Sequence, residues 1–378
     1  MRVVDRLAEV DRDRWRELTR GAPLFMQAEF LEALEDAPPS NARPLYGIIE
    51  REGRRIAALA GQRIKVEMDR AARPGELGGA VGAALKRVEF EAALWGNYLT
   101  WGHSGVAFAP GVSPREGWPL VSEAVYRAMK DDPALEGCDL HLVLDVDGGA
   151  LEHATVLEQR GYSRFETEPD MVLALDPAWK TFDDYRAALK TKYRKASLDM
   201  DRALDAATCR LERLSPADVD RYSQDIHRNY LTVHENSPAR FVTLGERTVA
   251  ALARRLGDRM RVNAIVEGER LLGFGTTLFD GDAAIAYVVG HDLVRNRSLP
   301  IYLRLLQQAI ADGVERRCRR VRYGRTALEP KARLGAKPEK LTVFGRHRSR
   351  VLGAMLGGVM QALTPRAAAP ERDPFRGA

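Results

Sequence analysis

Residues 260–336 constrain the fold more than any other part of the chain, because three strand signals, one helix signal and a polar connection follow one another there. Residues 261–266 are rich in β-formers and stop at the turn cluster Glu267-Gly268-Glu269-Arg270. Residues 271–279 run to a second turn at Asp280-Gly281-Asp282, and residues 283–290 follow, which spells an antiparallel meander. Past Pro300, Tyr302, Leu305, Leu306, Ala309 and Ile310 recur at i, i+3, i+4, i+7 and i+8, the apolar face of a helix. A short strand at 320–323, the segment from Gly324 to Gly335 and a last strand at 340–345 complete the run. A strand, helix, strand unit laid on a meander predicts a mixed sheet in an α/β (α+β) fold.

This order resembles the C-terminal half of the GNAT acyltransferase superfamily, and more closely its two-domain FemAB-like branch, related to the Fem peptidoglycan aminoacyltransferases. The meander carries the resemblance, with Pro300-Ile301-Tyr302 opening the helix and Tyr323-Gly324-Arg325 followed by Lys331 and Leu334-Gly335-Ala336. It implies two tandem GNAT-like domains and transfer of an acetyl or aminoacyl group to an amine. The implied acceptor is a small amino-acid-derived molecule, a peptide or a peptidoglycan precursor. No tightly bound cofactor is implied; the donor, acyl-CoA or aminoacyl-tRNA, is a co-substrate, which makes tRNA a candidate partner. A typical acetyl-CoA-dependent member places a glycine-containing pyrophosphate loop between the fourth strand and the helix, where backbone N–H groups hold phosphate. Here Arg295-Asn296-Arg297-Ser298-Leu299-Pro300 stands in that position without glycine, which weighs against acetyl-CoA.

The chain's 378 residues exceed one ordinary core and suggest two domains. Laid side by side, the two halves repeat hairpin, strand, helix, strand, helix ending in glycine, strand, with Gly161 and Gly335 as the helix-ending glycines. An internal duplication accounts for this. It gives a first domain over 1–176, a second over 177–364 that carries the expected active site, and a Pro-, Ala- and Arg-rich disordered tail over 365–378. Further expected elements are a first strand at 2–7, a surface loop at 69–82, a strand at 94–101 and one long helix over 182–204. On that helix Arg186, Lys190 and Arg194 form a basic ridge. Ser215-Pro216 starts another helix with a capping serine.

A net charge of +5 suits attraction of a phosphate-bearing ligand but is too diffuse to identify one, and no DNA-binding pattern stands out. Three cysteines without paired spacing fit a reducing cytoplasm and argue against structural zinc. His291 and Asp292 lack a third ligand at metal spacing, so no metal is expected. The start of the sequence lacks the apolar run of a signal peptide, and no segment approaches a membrane span. Residues 351–363, behind a basic cluster, read as a terminal helix docked on the domain, with weak membrane-surface contact as the alternative.

Acyl transfer to an amine needs a deprotonated nitrogen, a polarised carbonyl and a protonated leaving group. His234, placed in a loop after an amphipathic helix, and Tyr323, at the end of a central strand, are the candidate catalytic groups. Arg295, Asn296, Arg297 and Ser298 are the candidate donor contacts, and Tyr230, Tyr302, Arg325 and Lys331 the candidate substrate contacts. A second polar strand end, Trp101-Gly102-His103-Ser104-Gly105, lies in the first half. The alternative reading is a ligand-binding module without turnover.

Overall fold

The structure, a computed structural model, describes residues 1–67, 70, 89–146, 148–237, 240–349, 351–353 and 370–376. The expected loop at 69–82 lies outside these apart from Arg70, as does most of 351–363. The chain divides into two compact units. One comprises Met1–Glu168, Ser237–Leu244 and Lys340–Arg366; the other comprises Pro169–Asn236, Gly245–Glu339 and Ala367–Ala378.

In chain order come α1 (Arg12–Leu18), α2 (Ala28–Asp36) and the hairpin β1 (Ala42–Arg51) and β2 (Arg54–Glu67). Glu52 and Gly53 both take positive φ (53° and 77°), the turn that matches the twist of a two-residue hairpin. There follow β3 (Glu89–Trp95), β4 (Val106–Phe108), α3 (Pro114–Asp131), β5 (Cys138–Val146), α4 (Gly148–Ala154) and β6 (Ser163–Glu166). Ser113 caps α3 through the Glu116 N–H, with proline in its first turn. Next are β7 (Asp170–Ala174), α5 (Phe182–Ala188), α6 (Thr191–Ala206), β8 (Cys209–Arg213), α7 (Pro216–Arg221), α8 (Ser223–His234) and α9 (Thr248–Leu256). The chain continues through β9 (Met260–Glu267), β10 (Arg270–Asp280), β11 (Ala283–His291), α10 (Ile301–Glu315), β12 (Arg320–Arg322), α11 (Leu328–Arg333), β13 (Lys337–Glu339) and β14 (Thr342–His347).

Each unit is built on one sheet, and the two sheets repeat one strand order. The first runs β1-β2-β3-β5-β14-β6, with β4 paired to β2; the second runs β9-β10-β11-β12-β7-β13, with β8 beyond β9. In both, three antiparallel strands meet one parallel step, β3 with β5 and β11 with β12. Two antiparallel strands then close the sheet. This is the topology of an internal duplication, with one exchange. The fifth position of the first sheet is filled by β14, from the end of the second half, and that of the second sheet by β7, from the end of the first. The sequence places residues 340–345 as the last strand of the second half and shows nothing of this exchange. Alternation fixes which face of a strand is buried, whereas partner choice depends on contacts distant in sequence. Val343 packs with Ile64, Leu94 and Phe165 in the first unit, and Leu173 with Leu306, Ile310 and Val321 in the second.

Other local readings change too. The expected strand at 2–7 reduces to a bridge between Val4 and Tyr46. The expected strand at 94–101 is β3, which ends at Trp95 before a turn in which Thr100 N–H donates to the Asn97 carbonyl (2.9 Å). The single helix over 182–204 is two helices, α5 and α6, broken at Leu189, whose ψ is 145°. The cause lies far along the chain. Leu189 bridges Phe375, Lys190 N–H donates to the Pro374 carbonyl (2.8 Å), and Arg376 N–H donates to the Ala188 carbonyl (3.0 Å). The break ends the basic ridge, since Arg186 stays on α5 and pairs with Asp183 and Asp201. The stretch expected as a disordered tail is thus docked over 370–376. Phe375 packs against Trp179 and Tyr185, and Arg372 pairs with Glu329 (2.8 Å).

Candidate active site at the fork between β11 and β12

The parallel pairing of β11 with β12 covers Ala283–Ile285 against Arg320–Arg322 and then stops. Beyond it β11 stays with β10 as far as His291, while Tyr323 and Gly324 stay with β7: Tyr323 N–H donates to the Met171 carbonyl (2.9 Å) and Met171 N–H to the Gly324 carbonyl (3.2 Å). The strands therefore diverge into a fork, the place where open α/β sheets expose strand ends to ligands. Gly324 takes φ +70° at that turn. Asp170, fully buried, holds the corner by accepting from Gly324 N–H (2.8 Å) and Arg322 Nε (2.7 Å).

A β-bulge sits on β11 beside the fork. Gly275 pairs with Val289 and Thr277 with Ala286, so Tyr287 and Val288 stand opposite Thr276 alone. The Thr276 hydroxyl accepts from Val288 N–H (2.8 Å) and donates to the Val288 carbonyl (3.2 Å), satisfying the backbone that the bulge takes out of the ladder. Ala284, Ala286 and Val289 pack on the face covered by α10. Gly290 lies on the opposite face, where a Cβ would meet the backbone of Asn229 and Tyr230 on α8.

The sequence-derived candidates divide between these two faces. On the α8 side, His234 is the last residue of its helix rather than part of a loop. Its ring stacks on Tyr230 (5.1 Å, 21°), which stacks in turn on His227 (6.2 Å). Tyr287 lies close enough to Tyr230 for the two phenols to interact, and burial pushes its hydroxyl well above the ordinary range. Tyr287, His227 and Thr276 were missed in the sequence. Tyr287 and Thr276 read as ordinary strand residues there, whereas the spacing of His227, Tyr230 and His234 at i, i+3 and i+7 was a usable signal.

On the α10 side, Tyr323 is buried, its hydroxyl donates to the Leu306 carbonyl (3.1 Å), and burial raises it well above an ordinary phenol. Tyr302 stacks on His291 (5.4 Å), with its phenol pushed up to about 12 and the His291 imidazole down to about 4, both by burial. Lys331, 4% exposed, donates to the Gly324 carbonyl (3.0 Å) and to the Arg325 carbonyl, so it ties the turn after β12 to α11.

The loop expected to hold the donor is turned inward. Val294 and Arg295 N–H groups donate to the Asp292 carboxylate (2.9 and 3.0 Å), and Tyr302 N–H, in the first turn of α10, donates to Asn296 Oδ1 (2.9 Å). The N–H groups of Asn296, Arg297, Ser298, Leu299 and Ile301 all find carbonyls inside the loop. Every backbone donor from Val294 to Tyr302 is therefore spent, and two side-chain oxygens occupy the positions an anion would take at a helix start. Asp292 pairs with Arg270 and Arg295 with Glu267, while Arg297 and Ser298 are exposed. These residues do not fit a backbone-held pyrophosphate. Among the described residues, no group of three or more His, Cys, Asp or Glu could hold a metal, and no helix is long and apolar enough to cross a membrane.

No protein-family model matches the sequence, and none of the curated proteins does. Solved structures do. FemX aligns with a TM-score of 0.52 at 11% identity, covering 94% of this chain and 100% of that one. The C-terminal domain of a putative lysylphosphatidylglycerol synthetase from Agrobacterium fabrum aligns with a TM-score of 0.51 at 10% identity, covering 94% and 96%. A conserved protein of unknown function from Bacteroides thetaiotaomicron aligns with a TM-score of 0.50 at 10% identity, covering 91% and 98%. Together with the duplicated sheet and its parallel fork, these similarities show that the chain shares the two-domain fold of FemX and of the synthetase's C-terminal domain.

Proposed function

We propose that the second unit transfers an acyl group to an amine at the β11/β12 fork. The acceptor would be a small amino-acid-derived molecule or a peptidoglycan precursor. The observation that carries this reading is the Tyr287-Val288 bulge, placed where the parallel pair diverges; bulges beside a site re-aim a side chain or end a pairing. The acyl group approaches from the α10 face and the amine from the α8 face, meeting where the sheet is open. The amine nitrogen attacks the carbonyl carbon, the C–N bond forms as the bond to the leaving atom breaks, the amine proton passes to a base, and the leaving atom is protonated. His234, beside Tyr230 and Tyr287, is the proposed base. Tyr323, with its hydroxyl held by Leu306, is proposed to position the fork rather than to shuttle protons, and Lys331 to hold its turn. The spent amides of 294–302 support a donor held by side chains such as Arg297 and Ser298 rather than by a pyrophosphate nest.

The test is acyl transfer measured with acetyl-CoA and with aminoacyl-tRNA against amine acceptors, in wild type and in His234→Gln, Tyr287→Phe and Tyr323→Phe. A drop in kcat of about 100-fold or more is expected for His234→Gln. Tyr323→Phe should cost about 1 kcal/mol of stability and leave kcat nearly intact. Full turnover in His234→Gln removes the proposed base. The second reading, a binding module without turnover, is favoured by the filled donor loop; a donor-dependent thermal shift with no product formation would select it.

A further inference from the structure

Away from the fork, the second unit contains a cavity of about 220 Å³ whose walls differ sharply in character. Its floor is apolar, formed by Leu189, Met200, Leu303 and Leu334 with the rings of Tyr185 and Tyr193. Two polar groups at that floor are already engaged. Tyr185 donates its hydroxyl to the Leu334 carbonyl (3.1 Å), and Gln307 Oε1 accepts from Ser197 (3.1 Å). The rim is cationic: Lys192 comes from α6, Arg333 from the end of α11 and Arg372 from the docked C-terminal segment, and no carboxylate is among the lining side chains. Glu329 stands behind the rim and holds both guanidinium groups, with Arg333 at 2.9 Å and Arg372 at 2.8 Å. Three cations against one carboxylate leave the mouth positive, with the two arginines fixed side by side.

We propose that this cavity binds a small anion with a compact apolar body, a carboxylate or phosphate monoester carrying a short alkyl chain or a single ring. The volume lies below that of drug-sized sites, which limits the body to fragment size. The head group pairs with Arg333, Arg372 and Lys192, and the body covers Leu303, Met200 and Tyr193. Because Arg372 belongs to the segment held by Phe375 on Trp179 and by Lys190 on Asp373 (2.7 Å), a ligand that bridges Arg333 and Arg372 also fastens that segment. The proposal is independent of acyl transfer and is read without turnover.

Calorimetric titration of the full chain with hexanoate and with phenyl phosphate tests it, with hexanol and inorganic phosphate as the body-only and charge-only controls. Saturable binding is expected for one or both amphiphiles, and its preference separates a carboxylate from a phosphate ligand. Affinity should fall at least about tenfold in Arg333→Gln or Arg372→Gln and vanish in Ala196→Trp, where an exposed cavity-lining position on α6 is filled. Digestion of the C-terminal segment by carboxypeptidase should slow on adding the amphiphile to wild type but not to Arg372→Gln. The proposal is overturned if neither amphiphile binds, if inorganic phosphate binds as tightly as phenyl phosphate, or if the three variants bind as wild type does.

Discussion

The two units repeat one strand order but treat its fork in opposite ways. In the first, β2 and β3 pair without a bulge up to Gly61 and Trp95, and the following segment folds back across the strand ends. Gly96 N–H donates to the Ala60 carbonyl (3.0 Å), Ala60 N–H to the Gly105 carbonyl (2.8 Å), and Gly102 N–H to the Asp145 carboxylate (2.9 Å). Asp145, buried at the end of β5 with φ +50°, is an L-residue in the left-handed region, a cost that the loop's hydrogen bonds offset. In the second unit the corresponding connection, 292–300, is shorter and curled on itself, and β11 carries a bulge. A duplicated scaffold thus uses one copy whose strand ends are crossed by a loop bonded to them and another whose connection is bonded to itself. The difference lies in loop length and one inserted strand residue, not in topology.

The crossover helices differ as well. α3 buries Trp118, Val121, Val125 and Ala128, whereas α10 buries Asp312, fully enclosed, which accepts from Arg261 (3.0 Å), Asn263 (2.8 Å) and Thr277 (2.8 Å). Asp312→Ala leaves Asn263 and Thr277 without their acceptor and Arg261 with Glu315 alone, and should destabilise the second unit by about 3–5 kcal/mol, the largest effect expected. Urea unfolding followed separately in each unit checks this, and an equal loss in the first unit would break the comparison.

Next in size is the pair of helix-ending glycines. Gly335 has φ +97°, and a Cβ there would overlap the Phe375 ring; Gly161 has φ +79° and would meet only the end of the flexible Arg346 side chain. Gly335→Ala should cost about 2–4 kcal/mol, combining left-handed strain with overpacking. Gly161→Ala should cost about 1–2 kcal/mol, the strain alone. Comparable denaturation midpoints for the two variants would mean that Phe375 is not held in that position in solution.

Thr276→Val removes the hydroxyl that satisfies the bulge and should cost about 1–3 kcal/mol. If the bulge shapes the fork, turnover should drop further than stability alone explains, and kcat/KM measured well below the melting temperature separates the two effects.

The smallest effect near neutral pH comes from two buried histidines, one per unit. His141, on β5, and His291, on β11, are each lowered to about 4, chiefly by burial. Both are neutral when folded at pH 7, so their contribution changes little there. Between about 6.5 and about 4 the unfolded chain binds protons that the folded chain does not, so stability falls as pH drops through that window. Stability curves at pH 7, 5.5 and 4.5 should flatten in His141→Gln for the first unit and in His291→Gln for the second. An unchanged slope in either variant would assign the acid loss elsewhere.

The sequence by itself determined what is local. Turn residues at 267–270 and 280–282 set the meander, a 3.6-residue period set α10, and Ser215-Pro216 set a capped helix start in which Ser215 and Asp218 satisfy one another's backbone. These features follow from φ/ψ preference and side-chain period, which neighbouring residues decide. It also made the repeat visible, through element order and the two helix-ending glycines. Tertiary structure alone decided the rest. β7 and β14 read as strands from their composition, but which sheet each completes depends on hydrophobic partners more than a hundred residues away. The break at Leu189 depends on Phe375, and the sheet places Tyr230 and His234 on the face opposite Tyr302 and Tyr323. The donor loop shows the limit most plainly. Its arginines are legible as charges, but only the folded chain shows Asp292 and Asn296 taking up the amides that a phosphate would need, because hydrogen-bond satisfaction is a property of the assembled backbone.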